Sequence, residues 1–228
     1  MERVPAVTAR FSPSSRARLT TYDLGRFTSD TLFDRLGRAV CAAGCLPRKE
    51  FYEAWEVARR VRRLLRGGRI VDLAGGHGLL AHALLLLDDS SPEAMVVDRD
   101  IPPAAATLHT ALAEAWPRLA GRVHAVAGDL GAVTLGPGDL VVASHACGAL
   151  TDAVLTRAAD ARARVAVLPC CHDLESCDTG ALVGWLDPAL AIDVMRATGL
   201  ESRGYRVWTQ TIPATITPKN RLLIGRPT

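Results

Sequence analysis

The sequence predicts an α/β fold: a doubly wound sheet of about seven strands with an antiparallel C-terminal hairpin, preceded by an N-terminal helical extension. First, short apolar runs alternate with helix-length segments from residue 68 onward, as in parallel sheets covered by helices. Second, the last two apolar runs lie too close in the chain for a helix between them, which indicates an antiparallel pair. A length of 228 residues with 49% hydrophobic residues fits one compact domain.

The N-terminal extension, residues 1–66, contains two predicted helices. Apolar residues at helical spacing predict the first over 28–43, with Ser29 or Asp30 as its N-cap. The second is predicted over 48–65, and the arginines toward its C-terminus suit the helix dipole.

The remaining residues, 67–228, show the alternation of strands and helices and form the predicted cofactor-binding domain. Short runs rich in β-branched residues predict strands at 69–74, 94–98, 122–127, 139–143, 165–168, 205–212 and 220–225. Helical spacing predicts helices at 79–87, 102–119, 149–161 and from the N-cap Asp187 to about residue 198. This order places helices on both faces of a sheet with a parallel centre.

The charge is unevenly divided along the chain. Residues 1–70 contain 15 lysines and arginines against 7 acidic residues, residues 71–228 contain 12 against 17, and the total is +3. A basic segment of this kind suggests a polyanionic partner. Only Lys49 and Lys219 are lysines, so the excess of arginine also fits the codon use of a GC-rich genome. Both explanations stay open.

The sequence predicts a soluble, cytoplasmic protein with no membrane contact. Its longest strongly apolar run, residues 78–87, is about half as long as a membrane span requires. Residues 1–22 lack the apolar core of a secretory signal, which leaves a transit peptide or a flexible arm. Six cysteines without an export signal indicate a reducing compartment rather than a disulfide framework.

A glycine-rich loop after the first predicted strand is the strongest functional signal. It reads Val-Asp-Leu-Ala-Gly-Gly-His-Gly over residues 71–78, and glycines at such a turn let the backbone approach a ligand closely. Asp98 ends the next strand, 20 residues after Gly78, where an acidic residue hydrogen-bonds a ribose diol. The spacing excludes a Gly-x-Gly-x-x-Gly dinucleotide loop and a P-loop. The loop therefore predicts a nucleoside-type cofactor.

The loop, Asp98 and Ala-Gly-Asp-Leu at 127–130 resemble motifs of the class I S-adenosylmethionine-dependent methyltransferases, which have a Rossmann-like fold. The resemblance covers residues 67–226, with Ala74 in place of the first motif glycine. It implies S-adenosylmethionine as the cofactor and an adenine contact at Asp129, which could also be an ordinary turn residue. The cofactor contacts that it implies are Asp72, Ala74, Gly75, Gly76, Gly78, Asp98, Arg99, Asp129, Leu130 and His145.

Two short motifs narrow this resemblance. Ser-His-Ala-Cys-Gly-Ala-Leu-Thr-Asp at 144–152 and Pro-Cys-Cys-His at 169–172 resemble a methyltransferase-domain family that includes eukaryotic tRNA ribose methyltransferases. The longer His/Cys cluster and the zinc-finger modules of those tRNA enzymes have no counterpart in this sequence. The resemblance implies methyl transfer, with RNA as the leading acceptor. A methyltransferase of small molecules or proteins, and a non-catalytic cofactor-binding scaffold, are the alternatives.

The two motifs follow predicted strands, at the sheet edge where open α/β sheets bind ligands. His145 and His172 are candidate general bases, since histidine titrates near neutrality, and a purely structural role for each stays open. Cys147 and Cys170 are the candidate nucleophiles of a covalent mechanism. Residues 217–221 either border the acceptor pocket or, as we favour, simply connect the last two strands.

The cysteines have three interpretations. Small buried side chains are the favoured one, and the covalent mechanism is the second. The third is a zinc site, although we expect no structural metal. Zinc pairs usually have two to four residues between the cysteines, and Cys41 and Cys45 fit this spacing, but they lie at a predicted helix end where they can simply face the core. The ligands of the zinc site would come from Cys170, Cys171, His172 and Cys177, with Cys41 and Cys45 as further candidates.

Overall fold

The computed structural model describes residues 11–228, which form one mixed seven-stranded sheet flanked by helices. The strands are β1 Ile70–Leu73, β2 Ala94–Asp98, β3 Val123–Ala127, β4 Leu140–Ala143, β5 Arg164–Val167, β6 Tyr205–Thr211 and β7 Arg221–Pro227. Their order across the sheet is β3-β2-β1-β4-β5-β7-β6. The first five strands pair in parallel, and β7 is antiparallel to β5 and to β6. The predicted doubly wound sheet and its C-terminal hairpin are confirmed.

Six α-helices flank the sheet in the described residues. They are α1 Leu32–Ala43, α2 Arg48–Leu64, α3 Leu79–Leu87, α4 Pro103–Ala115, α5 Ala149–Asp160 and α6 Pro188–Ser202. Two buried clusters form the core: one contains side chains of α1 to α4, and the other contains side chains of α5 and α6. Ile70 belongs to the first cluster and Val71 to the second, because successive side chains of a strand face opposite sides. Burial on both faces explains why the strands read as continuous apolar runs.

The first helix begins later than the sequence predicts. Helix α1 starts at Leu32, and the hydroxyl of Thr31 accepts a hydrogen bond from the backbone N–H of Asp34. The prediction of Ser29 or Asp30 as the N-cap is therefore wrong. The Ser29 hydroxyl instead lies 2.9 Å from that of Thr31, beside the cap.

Two helix ends also differ from the prediction. Helix α4 stops at Ala115, since Pro117 has no N–H to donate and begins a short 3-10 turn. Helix α6 continues to Ser202, about one turn beyond the predicted end at 198. Its last turn places Leu200 in the core at 2% exposure, so burial outweighs the helix-weakening Gly199.

Residues 11–22 pack against the rest of the fold. Leu19 is fully buried, and its backbone N–H donates to the carbonyl of Leu46 at 2.9 Å. A 3-10 helix, Thr21–Arg26, leads from there to α1. The interpretation of 1–22 as an arm or transit peptide is wrong for this part, and residues 1–10 lie outside the described residues.

The basic run at the end of α2 is largely neutralised within the fold. Arg59 and Arg60 both form ion pairs with Glu56. Arg62 is 3% exposed, and its guanidinium faces Asp88 at 3.2 Å. Arg59 and Arg60 thus pair within α2, and Arg62 joins α2 to the end of α3. Because their charges are balanced, these arginines contribute little to a surface that could bind a polyanion.

Helix α3 is the most apolar helix and is packed between α2 and the sheet. Eight of its nine residues are buried, which explains the apolar run found in the sequence. Within residues 11–228, no helix has both the length and the apolarity needed to cross a membrane.

Candidate functional site

Predicted cofactor residues come together at the carboxyl ends of β1 and β2 and in the loop after β3. They border a cavity of about 720 Å³, called here the cofactor cavity. Its lining includes Ala74, Val97, Asp98, Arg99, Asp129, Leu130, Leu150 and Arg157. Open α/β sheets bind ligands at this edge, and small-molecule sites have volumes of roughly 300–1,000 Å³. The position and the size both suit a nucleoside-type ligand.

Asp98 stands at the end of β2 with its carboxylate held by backbone amides. Oδ2 accepts a hydrogen bond from the N–H of Gly76 at 2.9 Å, and Oδ1 accepts one from Asp100 at 3.3 Å. Each carboxylate oxygen can accept a second hydrogen bond. The side chain is therefore oriented and still has acceptor capacity for the two hydroxyls of a ribose.

The glycine loop lies directly against β1 and β2 because its glycines leave no room for side chains. A Cβ atom at Gly75 would lie 2.8 Å from Cγ of Asp72, and one at Gly78 would lie 2.8 Å from a methyl group of Val96. Gly78 also has a φ of 76°, in the left-handed region. A Cβ at Gly76 would meet open space, so the backbone there is accessible to a ligand.

Ala74, which replaces the first motif glycine, has a left-handed φ of 55° that is unfavourable for alanine. We expect Ala74→Gly to stabilise the protein by up to about 1 kcal/mol, since relief of strain exceeds the added flexibility of the unfolded chain. Urea denaturation measures the effect. Ala181→Gly, at a φ of 58° outside both cavities, is the matched control. A loss of stability confined to Ala74→Gly would show that the Ala74 methyl group is a favourable contact.

Asp72 lies beneath the glycine loop and is 1% exposed. Neither of its carboxylate oxygens has a hydrogen-bond partner among the described residues. Burial raises the pKa of Asp72 to about 7, and the nearby charge of Asp98 adds to the rise. A buried carboxyl without partners is unfavourable for the empty protein, and a positively charged ligand group above the loop would compensate it.

Asp129 is a turn residue that also lies at the cavity, and the adenine contact expected for it stays a prediction. Its Oδ1 accepts from the N–H of Gly131 at 2.7 Å, which makes it the cap of a short 3-10 turn, Leu130–Ala132. It also lines the cofactor cavity together with Leu130. The turn therefore places this carboxylate at the cavity.

A second cavity, of about 540 Å³, forms where the ends of β4 and β5 meet the start of α2 and the connection between β6 and β7. It is lined by Arg16, Pro47, Lys49, Glu50, His145, Cys170, Cys171, Thr217, Pro218 and Lys219. Residues 217–219 therefore connect β6 and β7 and also line this cavity. The favoured interpretation as a strand connection and the alternative of a pocket border are compatible. The segment after β4 contributes to both cavities: His145, in the loop, lines the second, and Leu150, in the first turn of α5, lines the first.

His145 lines the second cavity and is not among the residues that line the cofactor cavity, and its expected cofactor contact stays a prediction. Burial lowers the pKa of His145, and the neighbouring Glu50 and Glu53 only partly oppose this. A neutral imidazole at physiological pH can accept a proton. Of the two histidine candidates, His145 is the one at a cavity where an acceptor could bind.

His172 has a different environment. Its side chain is 6% exposed, and Nε2 lies 2.8 Å from Oδ1 of Asp193. Asp193 also binds Arg196 and Arg221, so this imidazole belongs to an ion-pair network between α6 and β7. The imidazole lines neither cavity, and these contacts favour a structural role over that of a general base.

The fold sorts the cysteines into different environments. Sγ of Cys147 lies 2.9 Å from Sγ of Cys170, and Cys171 adjoins them. Cys177 is buried and donates to a carboxylate of Asp152 at 3.4 Å, away from this group. Cys41 is buried within α1, and Cys45 follows that helix. Cys170, Cys171, His172 and Cys177 therefore do not converge as one zinc site.

Glu50 is a site residue that the sequence analysis missed. Its Oε2 accepts from Nε2 of His77 in the glycine loop at 2.7 Å, while the carboxylate lines the second cavity. Burial opposes ionisation, but the hydrogen bond with His77 holds the pKa of Glu50 below its usual value. Acidic residues are common in the first turn of a helix because they interact favourably with the helix dipole. The local sequence therefore does not distinguish Glu50 as a site residue.

The model of a family described as a methyltransferase domain matches residues 50–178, more than half of the chain. The matched residues include the glycine loop, Asp98 and the cysteines Cys147, Cys170 and Cys171. The matched range begins inside α2, before the domain boundary that the sequence predicts after residue 66. That boundary remains a prediction. None of the curated proteins matches the sequence.

Solved structures of several methyltransferases share the fold. An O-methyltransferase family protein from Burkholderia thailandensis is 20% identical with a TM-score of 0.50, over 90% of this chain and 63% of that one. The mitomycin 7-O-methyltransferase MmcR is 22% identical with a TM-score of 0.51, over 92% and 63%. The S-adenosylmethionine-dependent methyltransferase SibL is 20% identical with a TM-score of 0.52, over 92% and 66%. The chain thus spans less than two thirds of the length of each.

Proposed function

This chain belongs to the methyltransferase-domain family whose model matches residues 50–178, and from that premise we propose that it transfers a methyl group from S-adenosylmethionine to RNA. The observation that carries the choice of donor is Asp72, a buried carboxylate without partners beneath a glycine loop. S-adenosylmethionine has a positively charged amino group and sulfonium together with a ribose diol. Asp98 lines the cofactor cavity, and Asp72 lies buried beneath the adjoining glycine loop, close enough to Asp98 for their charges to interact.

The residues present fit this donor on three counts. Asp98 has free acceptor capacity for a ribose diol, and Asp129 and Leu130 border the space where an adenine would lie. Ala74 lines the cavity, and a Cβ at Gly76 would meet open space, so the loop backbone there can be approached by a ligand. When bound, S-adenosylmethionine supplies an electrophilic methyl group on sulfur. The contribution of the protein is to align an acceptor with that group and to remove a proton where the acceptor requires it.

His145 is the general base in this proposal. Its ring lines the second cavity, and its lowered pKa keeps it neutral and able to accept a proton at pH 7. A hydroxyl acceptor such as that of ribose must lose a proton as its oxygen attacks the methyl carbon. The loop after β4 runs from the second cavity to the cofactor cavity, which brings this base to the path between acceptor and donor.

We expect His145→Ala to lower kcat by about 100-fold or more, the usual contribution of a general base. Affinity for S-adenosylmethionine, measured by calorimetry, should stay unchanged because His145 lies outside the cofactor cavity. Since the pKa of His145 is below its ordinary 6.5, wild-type kcat should be flat above neutrality and fall only at lower pH. His124→Ala, in an exposed position on β3, is the matched control. Full turnover of His145→Ala would exclude this role.

RNA is the proposed acceptor because cationic groups surround the second cavity. Arg16 is exposed and lines it together with Lys219 and Lys49, although Lys49 also pairs with Glu53 at 2.8 Å. Phosphate contacts from such groups position a nucleic acid without reading its sequence. Arg59, Arg60 and Arg62 of α2 are paired with carboxylates within the fold. The support for RNA therefore comes from the residues that line the second cavity and from the family resemblance.

The deciding experiment supplies a labelled methyl donor and separate fractions of cellular RNA, protein and small molecules. The label should enter RNA, with binding that weakens steeply as salt rises. Arg16→Ala should reduce the salt dependence by about one unit of log–log slope, whereas Arg63→Ala, exposed on α2 away from both cavities, should not. Label in the protein or small-molecule fraction alone would contradict RNA as acceptor. Donor binding without transfer to any fraction would favour a non-catalytic scaffold.

A further inference from the structure

Three thiols meet at the edge of the second cavity. Cys147 follows β4, and Cys170 and Cys171 follow β5, which is the neighbouring parallel strand. Their Sγ atoms all lie within 4.8 Å of one another, and those of Cys147 and Cys170 are 2.9 Å apart. The backbone N–H of Gly148 donates to the carbonyl of Cys171 at 3.0 Å, which ties the two segments together. The cluster is thus fixed by the sheet and by a main-chain hydrogen bond.

We propose that Cys147, Cys170 and Cys171 form a three-thiolate binding site for a thiophilic divalent cation, with Zn²⁺ as the ion that best fits the ligand set. The geometry supports this assignment. Zinc–sulfur bonds of about 2.3 Å place the sulfurs of a tetrahedral site roughly 3.8 Å apart. The Cys147 and Cys170 sulfurs are about 1 Å closer than that and no pair is more than 4.8 Å apart, so shifts of about 1 Å, within reach of side-chain rotation, complete the arrangement.

The local charge also suits a metal held by three thiolates. Such a site has a net charge of −1, and Nζ of Lys219 lies 3.7 Å from Sγ of Cys171, where it balances that charge.

The fourth coordination position would face the second cavity. Cys170 and Cys171 line that cavity together with His145. Zinc sites with three protein ligands leave one position for water or substrate, and catalytic zinc sites have this form. A donor atom of the acceptor bound there loses its proton more readily, beside the residue proposed as the base. This consequence rests on the proposed function, whereas metal binding itself does not.

Co²⁺ is the probe for this site, since it replaces Zn²⁺ and is coloured. We expect the reduced, metal-free protein, without any methyl donor, to bind one Co²⁺ per chain. The complex should show thiolate-to-cobalt charge transfer and the strong visible bands of tetrahedral cobalt, and Zn²⁺ should abolish both. Cys147→Ser and Cys171→Ser should lose the charge-transfer intensity and bind at least about tenfold more weakly. Circular dichroism verifies that each variant is folded.

Two other cysteines provide matched controls. Cys45 is half-buried near the end of α1 and contacts the carbonyl of Ala104, and Cys177 is bound to Asp152. Cys45→Ser should leave the cobalt spectrum unchanged, and so should a folded Cys177→Ser variant. A reduced protein without the charge-transfer band, or an equal band in Cys147→Ser, would overturn the proposal. Binding that depends on Cys177 would do the same.

The metal site and the methyl transfer can fail separately. Calorimetry with S-adenosylmethionine tests the cofactor cavity and does not involve the cysteines. A protein that binds cobalt through these thiols but no S-adenosylmethionine would retain the metal site and lose the proposed donor. A protein that binds S-adenosylmethionine but no cobalt would retain the donor and lose the metal site.

Discussion

Asp98→Ala should weaken the binding of S-adenosylmethionine by about 100-fold or more, because two hydrogen bonds between a carboxylate and ribose hydroxyls would be lost. Asp98 is the acidic residue of the cofactor cavity that is both oriented and able to accept further hydrogen bonds toward a diol. Titration calorimetry measures the affinity directly. A thermal melt of the empty protein reports separately on the fold.

The same variant also removes a hydrogen bond to the amide of Gly76, so a second substitution is needed to separate the two effects. Asp98→Asn keeps an oxygen for that amide and loses the charge. If Asp98 binds ribose, Asn should weaken the affinity as well, whereas Asp100→Asn at the same cavity should have little effect. Unchanged affinity in both Asp98 variants would show that this residue does not hold the ribose. Full affinity in Asp98→Asn, with weakened affinity in Asp98→Ala, would show that Asp98 acts by holding the glycine loop through Gly76 rather than by binding the ribose.

Asp72→Asn should make the empty protein more stable and the cofactor complex weaker. A fully buried carboxyl without partners is unfavourable by about 1–3 kcal/mol or more, and an amide carries no charge to desolvate. The positive groups of S-adenosylmethionine lose their compensating charge in this variant, so we expect the affinity to fall by at least about tenfold. Denaturation and calorimetry measure the two effects on the same samples.

The pH dependence provides an independent test of Asp72. Its pKa in the folded protein is raised to about 7 from an ordinary 3.8, so folding takes up a proton between these values. The contribution to stability is full below about pH 4 and is lost as the pH rises through 7. Affinity for a cationic ligand should change in the opposite sense and increase toward pH 7, since the carboxylate must be ionised.

Asp72→Asn should remove both pH effects, and this distinguishes the residue from other titrating groups. Asp129→Asn is the matched control, because Asp129 lines the same cavity but is not fully buried. Stability and affinity that change with pH equally in wild type and Asp72→Asn would contradict the assignment.

Local patterns were sufficient for most of the fold. The boundaries of α3 and β2 agree with the prediction, since apart from His82 and the terminal Asp98 both elements are apolar and are followed by polar residues. The errors fall where tertiary contacts decide. Leu200 extends α6 because it is buried, and Leu19 orders a segment whose composition resembles that of an arm. Such contacts join residues that are distant in the chain and leave no local periodicity.

The two cavities differ in how far the sequence reveals them. The cofactor cavity is built from one loop and the ends of consecutive strands, so spacing alone locates Asp98. The second cavity gathers Arg16, Glu50, Cys170 and Lys219 from four separate segments. Cys147 and Cys170 are 23 residues apart, and only the parallel pairing of β4 and β5 makes them neighbours. Metal spacing rules for nearby cysteines do not detect such a site.

The contact between Glu50 and His77 has a consequence for the order of binding. His77 belongs to the loop of the cofactor cavity and Glu50 to the wall of the other, so one hydrogen bond of 2.7 Å joins the two compartments. An acceptor that draws Glu50 away from His77 changes the loop on which the donor rests. Thermodynamic linkage then requires the donor to change the acceptor's affinity by the same factor. We therefore expect the proposed donor and acceptor to be coupled through this one carboxylate.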